Sequence, residues 1–295
     1  SVYAKRILPV VEHMRRNREH KPGLLFQRVN TRYLDLEELG FGEAVIANVN
    51  TSEEYEQLCF HYGRKLQEFA PRVREKLTHG KVMVCYLDGL GYRMYKNAAD
   101  NGSVPFISRN FSVLPVRTVE PPVTNPAMAT MITGELPDVH GIHSRKDREV
   151  LVPTLFAGRS GENTAFLEGD TRILKTELLP RLHAAAKGKG CDYWIYRDAC
   201  KAASEEKEFI FAHFHEIDDA AHADGPFSSA CMEKLKETDG YIEALSGIFK
   251  GEILLISDHG VHEAGDGGTH GENPCSNGVY SYNIEDMLAV WGEHI

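Results

Sequence analysis

Three short apolar runs, each halted at an aspartate, constrain this chain more than anything else in it. Lys81-Val82-Met83-Val84-Cys85-Tyr86-Leu87 stops at Asp88-Gly89-Leu90-Gly91. A second run, Glu208-Phe209-Ile210-Phe211-Ala212-His213-Phe214-His215, ends near Asp218, and a third, Glu252-Ile253-Leu254-Leu255-Ile256-Ser257, stops at Asp258-His259-Gly260. The runs have strand length and are almost continuously apolar, which predicts strands buried on both faces. Helical patterns lie between them, over Thr176–Lys187 and Ser228–Lys250, with a shorter helix after Asn125. Strands alternating with helices predict an α/β fold with a mostly parallel central sheet and helices on both faces. Ligands of such sheets bind beyond the carboxyl ends of the strands. One aspartate after one strand is a turn residue; three at the same edge predict a site.

Residues 1–80 read differently, as a mainly helical N-terminal segment ahead of a catalytic domain at 81–295. Ile7, Leu8, Val10, Val11 and Met14 recur at helical spacing, and Ser52 with Glu53-Glu54 starts a second helix running toward Leu77. Leu24–Val29 reads as a short strand. The cluster Arg15, Arg16, Arg18 reads as a solvated helix face. The stretch 146–200 reads as an insert that caps the site.

Charge narrows the function. The chain of 295 residues carries 33 Lys/Arg against 43 Asp/Glu, a net of −10, and an acidic chain is a poor binder of nucleic-acid backbones. No apolar stretch reaches the roughly 20 residues of a membrane span. The six cysteines are scattered without a C-x-x-C pair, which predicts reduced, mostly buried thiols and a cytoplasmic setting.

Asp88, Asp218, His222, Asp258, His259 and His270 all fall at the predicted strand ends or in the turns beside them. Three carboxylates and three imidazoles suit two divalent ions of the zinc type. Asp218 and His222 are four apart and share a helix face. Asp258 and His259 are adjacent at a strand end, and His270 lies in Gly267-Gly268-Thr269-His270-Gly271, where glycines let the backbone bend. Between the first two strand ends lies Pro121-Pro122-Val123-Thr124-Asn125-Pro126. A Thr124 hydroxyl beside a metal and at a helix mouth would be an activated nucleophile facing an anion. The plainer reading of Thr124 is a helix N-cap.

These motifs, together with Thr133-Gly134-Glu135-Leu136-Pro137-Asp138-Val139-His140-Gly141-Ile142, resemble the alkaline phosphatase superfamily. The resemblance is to its branch of nucleotide pyrophosphatases/phosphodiesterases and phosphonoacetate hydrolases, and it covers about Lys81 to Gly292. It implies an alkaline phosphatase-like fold and a two-metal hydrolase of phosphate esters, usually zinc-loaded, with manganese as the other metal considered. Asp218, His222 and His270 would hold one ion, and Asp88, Asp258, His259 and the Thr124 oxygen the other, with a phospho-threonine intermediate. The substrate would be a small phosphate ester, nucleotide or phosphonate.

The sequence departs from that pattern. The family's substrate-binding asparagine after the His-Gly-Ile motif is Arg145 here, whose charge favours a monoester or phosphonate over a diester. The alternative is that Arg145 faces solvent and Asn125 or a backbone N–H contacts substrate. Ala221 replaces a glycine. His213 and His215 read as core residues or supports of the ligands, and Asp219, His262, Glu263 and Asp266 as ligand supports or surface. Arg172, Lys175 and Tyr196 lie in the presumptive cap without an assigned role. Three other readings compete. A phosphonoacetate hydrolase-like C–P hydrolase or a phosphomonoesterase stays within the family. A metal-dependent phospho-ligand binding protein would be non-catalytic. A dinucleotide site fails because Met94 stands where Gly89-x-Gly91 needs its third glycine.

Overall fold

The computed structural model describes residues 7–17, 19, 22–29, 51–271 and 282–295. The chain divides into two compact units, 1–48 and 49–295. The first contains α1 (Leu8–Arg16) and α2 (Pro22–Arg28), with Met14 and Leu25 buried. The strand expected at Leu24–Val29 is therefore a helix. Pro22 stands at its first position, where a missing N–H is harmless. Arg15 and Arg16 are exposed as expected, and Arg18 lies outside the described residues.

The second unit begins at Val49, well ahead of the boundary at residue 80 read from the sequence. Its elements run α3 (Ser52–Tyr62), β1 (Arg64–Lys65), α4 (Phe69–His79), β2 (Val82–Leu87), α5 (Tyr92–Asp100), α6 (Pro105–Asn110), β3 (Phe111–Arg117), α7 (Thr124–Thr133) and α8 (Pro137–His140). They continue through β4 (Thr164–Glu168), β5 (Arg181–Leu182), α9 (Cys191–Ser204), β6 (Phe209–Phe214), α10 (Glu216–Asp224), α11 (Ser229–Ile248), β7 (Glu252–Ile256), β8 (His262–Ala264), β9 (Gly267–Thr269), α12 (Ile284–Met287) and β10 (Leu288–His294). The helix read from Ser52 toward Leu77 is two helices. Thr51 and Glu54 form a capping box that starts α3, but Gly63 turns the chain into β1, which pairs with β3. Phe69 of α4 then packs edge-on against Trp291 of β10, 5.2 Å between ring centroids.

Among the described residues, eight strands form one sheet in the order β1-β3-β10-β7-β2-β6-β4-β5. Only β10 runs antiparallel to its neighbours, so the sheet is mostly parallel, as the apolar runs predict. Side-chain alternation sorts each strand between two cores. Met83, Cys85, Leu87, Ile210, Ala212, Ile253 and Leu255 belong to one. Val82, Val84, Tyr86, Phe209, Phe211, Leu254 and Ile256 belong to the other.

Two expectations fail here. Thr176–Lys187 is not helical: Pro180 disfavours helical backbone before it and removes an N–H, and Arg181–Leu182 joins the sheet as β5. Nor is 146–200 a separate cap. It contributes β4, which pairs with β6, and the start of α9, which covers β6. The other predicted long helix stands as α11, its first turn capped by Ser228 accepting from the Cys231 N–H at 3.1 Å.

Cys85 and Cys231 are buried, Cys59, Cys191 and Cys200 are half-buried, all five are free thiols, and Cys275 lies outside the described residues. Among the described residues no helix is long and apolar enough to cross a membrane.

Candidate metal and phosphate site

The centre of the sheet presents β7, β2 and β6 side by side, so the three predicted aspartates emerge at one edge. Asp88 directly follows β2, Asp258 lies two residues past β7, and Asp218 occupies the first turn of α10, which leaves β6 through His215. Gly89 adopts φ +69° in the turn after Asp88, and a Cβ there would collide with the Asp218 side chain. The glycine thus lets two carboxylates share the edge.

All seven predicted ligands converge in two abutting groups. In one, His259 Nε2 lies 3.1 Å from Asp258 Oδ2, 3.6 Å from Asp88 Oδ1 and 3.3 Å from Thr124 Oγ1. In the other, Asp218 Oδ2 lies 3.4 Å from His222 Nε2, and Asp218 Oδ1 lies 4.0 Å from His270 Nε2. The His259 and His270 rings stack at 3.7 Å, joining the groups. Donor atoms of Asp218, His222 and His270, and likewise of Asp88, Asp218 and His259, lie within 4.8 Å of one another.

The tautomers are dictated by the backbone. His222 Nδ1 meets the Gly268 carbonyl at 2.9 Å, His259 Nδ1 the Gly260 carbonyl at 3.1 Å, and His270 Nδ1 the Pro122 carbonyl at 2.8 Å. A carbonyl only accepts, so each Nδ1 carries a hydrogen. In a neutral ring, that leaves the Nε2 lone pair pointing inward, the arrangement of metal-binding histidines. Asp88 Oδ1, Asp218 Oδ1 and Asp258 Oδ2 are buried without a hydrogen-bond partner. Three orphaned carboxylate oxygens facing three imidazole lone pairs fit divalent cations.

The electrostatics agree. Burial, with Asp258 and Asp218 close by, pushes the Asp88 carboxyl far above its usual range. Burial and the stacked His259 push His270 down to about 2, so it stays neutral. Burial opposes ionisation of Asp218, but the hydrogen bond to His222 and the nearby His259 and His270 hold it low.

Thr124 is not the helix N-cap. Val123 occupies that position and supplies no side-chain cap, while the Thr124 hydroxyl faces His259. Asn125 is buried and its Nδ2 donates to the Arg145 and Asp147 carbonyls at 3.3 and 2.9 Å. Both amide hydrogens therefore anchor the 145–147 loop. Arg145 is exposed overall, yet the tip of its side chain turns inward and Nη2 lies 2.7 Å from His270 Nε2. It points into the site and not to solvent.

Of the remaining polar residues, Asp219, Glu263 and Asp266 are exposed. His262 Nδ1 lies 2.8 Å from Oδ1 of Asp286, whose Oδ2 accepts the Gly271 N–H beside His270. Lys175 lies 3.5 Å from Glu149 and Tyr196 stacks on Tyr241, both within the scaffold. Sequence reasoning missed Asp286, Glu168 and the role of His140. His140 Nδ1 accepts the Ile142 N–H, so its Nε2–H donates to Thr130 Oγ1 at 2.9 Å, tying α7 to the loop that carries Arg145. The signal for Glu168 was available: Thr164–Glu168 is another apolar run that stops at an acid before Gly169-Asp170.

A carboxylate–imidazole cluster thus lies beside a helix-borne hydroxyl at the carboxyl edge of a mostly parallel sheet, in a fold similar to alkaline phosphatase-like folds. Comparison with known proteins agrees. Residues 82–187 match the family model for type I phosphodiesterase / nucleotide pyrophosphatase. The fold is similar to an inactive variant of murine ectonucleotide pyrophosphatase / phosphodiesterase 5 in complex with AMP, at 16% identity and TM-score 0.50, covering 63% of this chain and 58% of that one. Phosphonoacetate hydrolase from Sinorhizobium meliloti in complex with phosphonoformate aligns at 19% identity and TM-score 0.48, covering 62% and 56%. The chain thus spans less than two thirds of the length of these structures. No curated protein sequence gives a significant match. Over residues 82–187 the chain resembles the type I phosphodiesterase / nucleotide pyrophosphatase family, and its fold is similar to that of the murine enzyme.

Proposed function

We propose that this chain is a metal-dependent hydrolase of small phosphate esters, with Thr124 as nucleophile. The observation that carries the reading is the Thr124 hydroxyl lying 3.3 Å from His259 Nε2, within a cluster that holds three orphaned buried carboxylate oxygens. Asp218, His222 and His270 would hold one divalent ion, and Asp88, Asp258, His259 and Thr124 the other, zinc or manganese by the donor set. Such ions, when bound, favour the ionised hydroxyl and neutralise charge on the attacking and leaving oxygens.

Thr124 Oγ1 attacks phosphorus as the bond to the leaving oxygen breaks, giving a phospho-threonine. Water then displaces Thr124 from phosphorus with a second inversion, releasing phosphate or a phosphate monoester. Thr124 is the first residue of α7, and the positive end of a helix favours an anion there. Asn125 keeps the Arg145 loop against α7 through its two carbonyl contacts.

One observation favours a narrower substrate. Arg145 brings a fixed positive charge to His270, and a guanidinium pairs best with a doubly charged phosphoryl group, so a monoester or phosphonate would bind in preference to a diester. The test is a panel of p-nitrophenyl phosphate, bis-p-nitrophenyl phosphate, nucleotides and phosphonoacetate, run with added zinc or manganese. Thr124→Ala should abolish turnover while the metal content measured by atomic absorption persists. Undiminished turnover by that variant would refute the nucleophile, and a metal-loaded wild type inert on the whole panel would leave a phospho-ligand binding protein.

A further inference from the structure

A second polar group lies behind Asp88, as fully buried as Asp258 and His259 of the candidate metal site. Glu168 ends β4 and His213 lies on β6, and neither is exposed at all. Register places them together. Leu167 pairs with Ala212 and Tyr86 with His213, so Glu168, His213 and Tyr86 lie side by side on neighbouring strands. His213 Nδ1 lies 3.1 Å from Glu168 Oε2, and its Nε2 lies 3.1 Å from Asp88 Oδ2. The ring is clamped between Tyr86 and His215, each 3.7 Å away between centroids.

The two oxygens of Asp88 are thereby divided. Oδ2 meets His213, with His215 Nδ1 a further 3.7 Å off. Oδ1 has no hydrogen-bond partner and faces His259. The Gly169 N–H donates to His215 Nε2 at 3.1 Å, which leaves Nδ1 as the protonated nitrogen directed at Asp88. Glycine at 169 suits this close approach, because a Cβ there would press on the His215 ring at 3.0 Å.

Such a group is poor stabilising material. Two buried carboxylates and an imidazole are costly to desolvate, and an apolar side chain could fill the same volume between Tyr86 and β4. A ligating carboxylate, in contrast, gains from having its other oxygen held, because a fixed orientation leaves less to order when a cation arrives. We propose that Glu168 and His213 are positioning residues that pin Asp88 Oδ2 through a buried carboxylate–imidazole–carboxylate chain, so that Oδ1 is presented to the cation shared with Asp258, His259 and Thr124. This rests on the two-metal reading above.

The test measures zinc binding by the metal-free full chain in competition with a chromophoric chelator, alongside zinc content and thermal melting. The unsubstituted protein should hold two zinc ions. His213→Phe, which keeps the stacking but removes both hydrogen bonds, should still hold two, with one of them bound roughly 10–100-fold more weakly. His213→Gln, which retains a donor toward Asp88, should recover most of that loss. Glu168→Gln keeps the shape but removes the charge and one acceptor oxygen, and should weaken the same ion by about tenfold, the low end of that range; it carries the test if His213→Phe does not fold.

Unchanged affinity at both ions in a folded His213→Phe, or in Glu168→Gln, would overturn the proposal. So would a third zinc in the unsubstituted protein that His213→Phe loses, since His213 would then be a ligand itself. Failure of the unsubstituted protein to bind zinc or manganese at all would instead overturn the two-metal reading.

Discussion

Single residues decide whether this site does chemistry and on what. Arg145 is the residue with the sharpest consequence, because its guanidinium reaches His270. Arg145→Ala should cost more toward monoesters and phosphonates than toward bis-p-nitrophenyl phosphate; equal losses in kcat/KM across the panel would count against charge selection. His140 gives a stability prediction. It is buried and neutral, and burial with His143 nearby lowers it from 6.5 to about 4. The unfolded chain therefore takes up this proton first as pH falls from about 6.5 toward 4, and the fold loses stability through that window. The loss is on the order of 3 kcal/mol at most. Urea unfolding at several pH values should show a shallower acid slope for His140→Leu than for wild type, even though the variant starts lower. The candidate ligand residues were legible one by one because strand ends and helical spacing mark them. The roles of His140 and Asn125 were not, since both act through groups on a loop whose path no local pattern fixes.

Elements position the ligands by borrowing caps from one another. α10 carries Asp218 and His222, but its own N-cap, His215, offers no side-chain bond. Asp192 of α9 fills the gap, accepting the His215 and Glu216 N–H groups at 2.8 and 3.0 Å. Asp192→Ala would leave two N–H groups near the protein interior unmatched, costing about 1–3 kcal/mol. Zinc affinity should fall with it, because the helix that presents two ligands loses its anchor; a stable variant with unaltered zinc titration would refute the coupling. Asp239 of α11 likewise caps α6 by accepting the Phe106 and Ile107 N–H groups at 3.0 and 2.8 Å. At this scale the three apolar runs identified β2, β6 and β7, with ends within a residue or two of those observed. β3 escaped notice because polar or partly exposed residues interrupt it, and β10 because its short apolar stretch runs into Glu293-His294; both are buried by pairing across the sheet. Thr176–Lys187 misled because its leucines at helical spacing instead flank Pro180 and a two-residue strand.

Across the whole molecule, the acidic balance gathers where it is useful. Three aspartates share one edge of the sheet, an arrangement that raises the energy of the metal-free fold through repulsion and burial. Divalent cations should relieve it. At a free zinc concentration 100 times the dissociation constant, a single site adds about 2.7 kcal/mol to stability, so melting should rise clearly on loading and fall with a chelator. A melting temperature indifferent to zinc, manganese and chelator would argue against the site.

The sequence by itself determined the parallel α/β frame, the edge at which chemistry gathers and the residues placed there. These follow from apolar periodicity and from where each run stops. Tertiary structure alone decided that Arg145 turns inward, that Asn125 braces a loop, and that Glu168 and His213 stand behind Asp88. It also fixed the imidazole tautomers, through the carbonyls of Pro122, Gly260 and Gly268. Every residue owns a carbonyl, so no residue type marks in advance which one a histidine will meet; only the path of the folded backbone selects it.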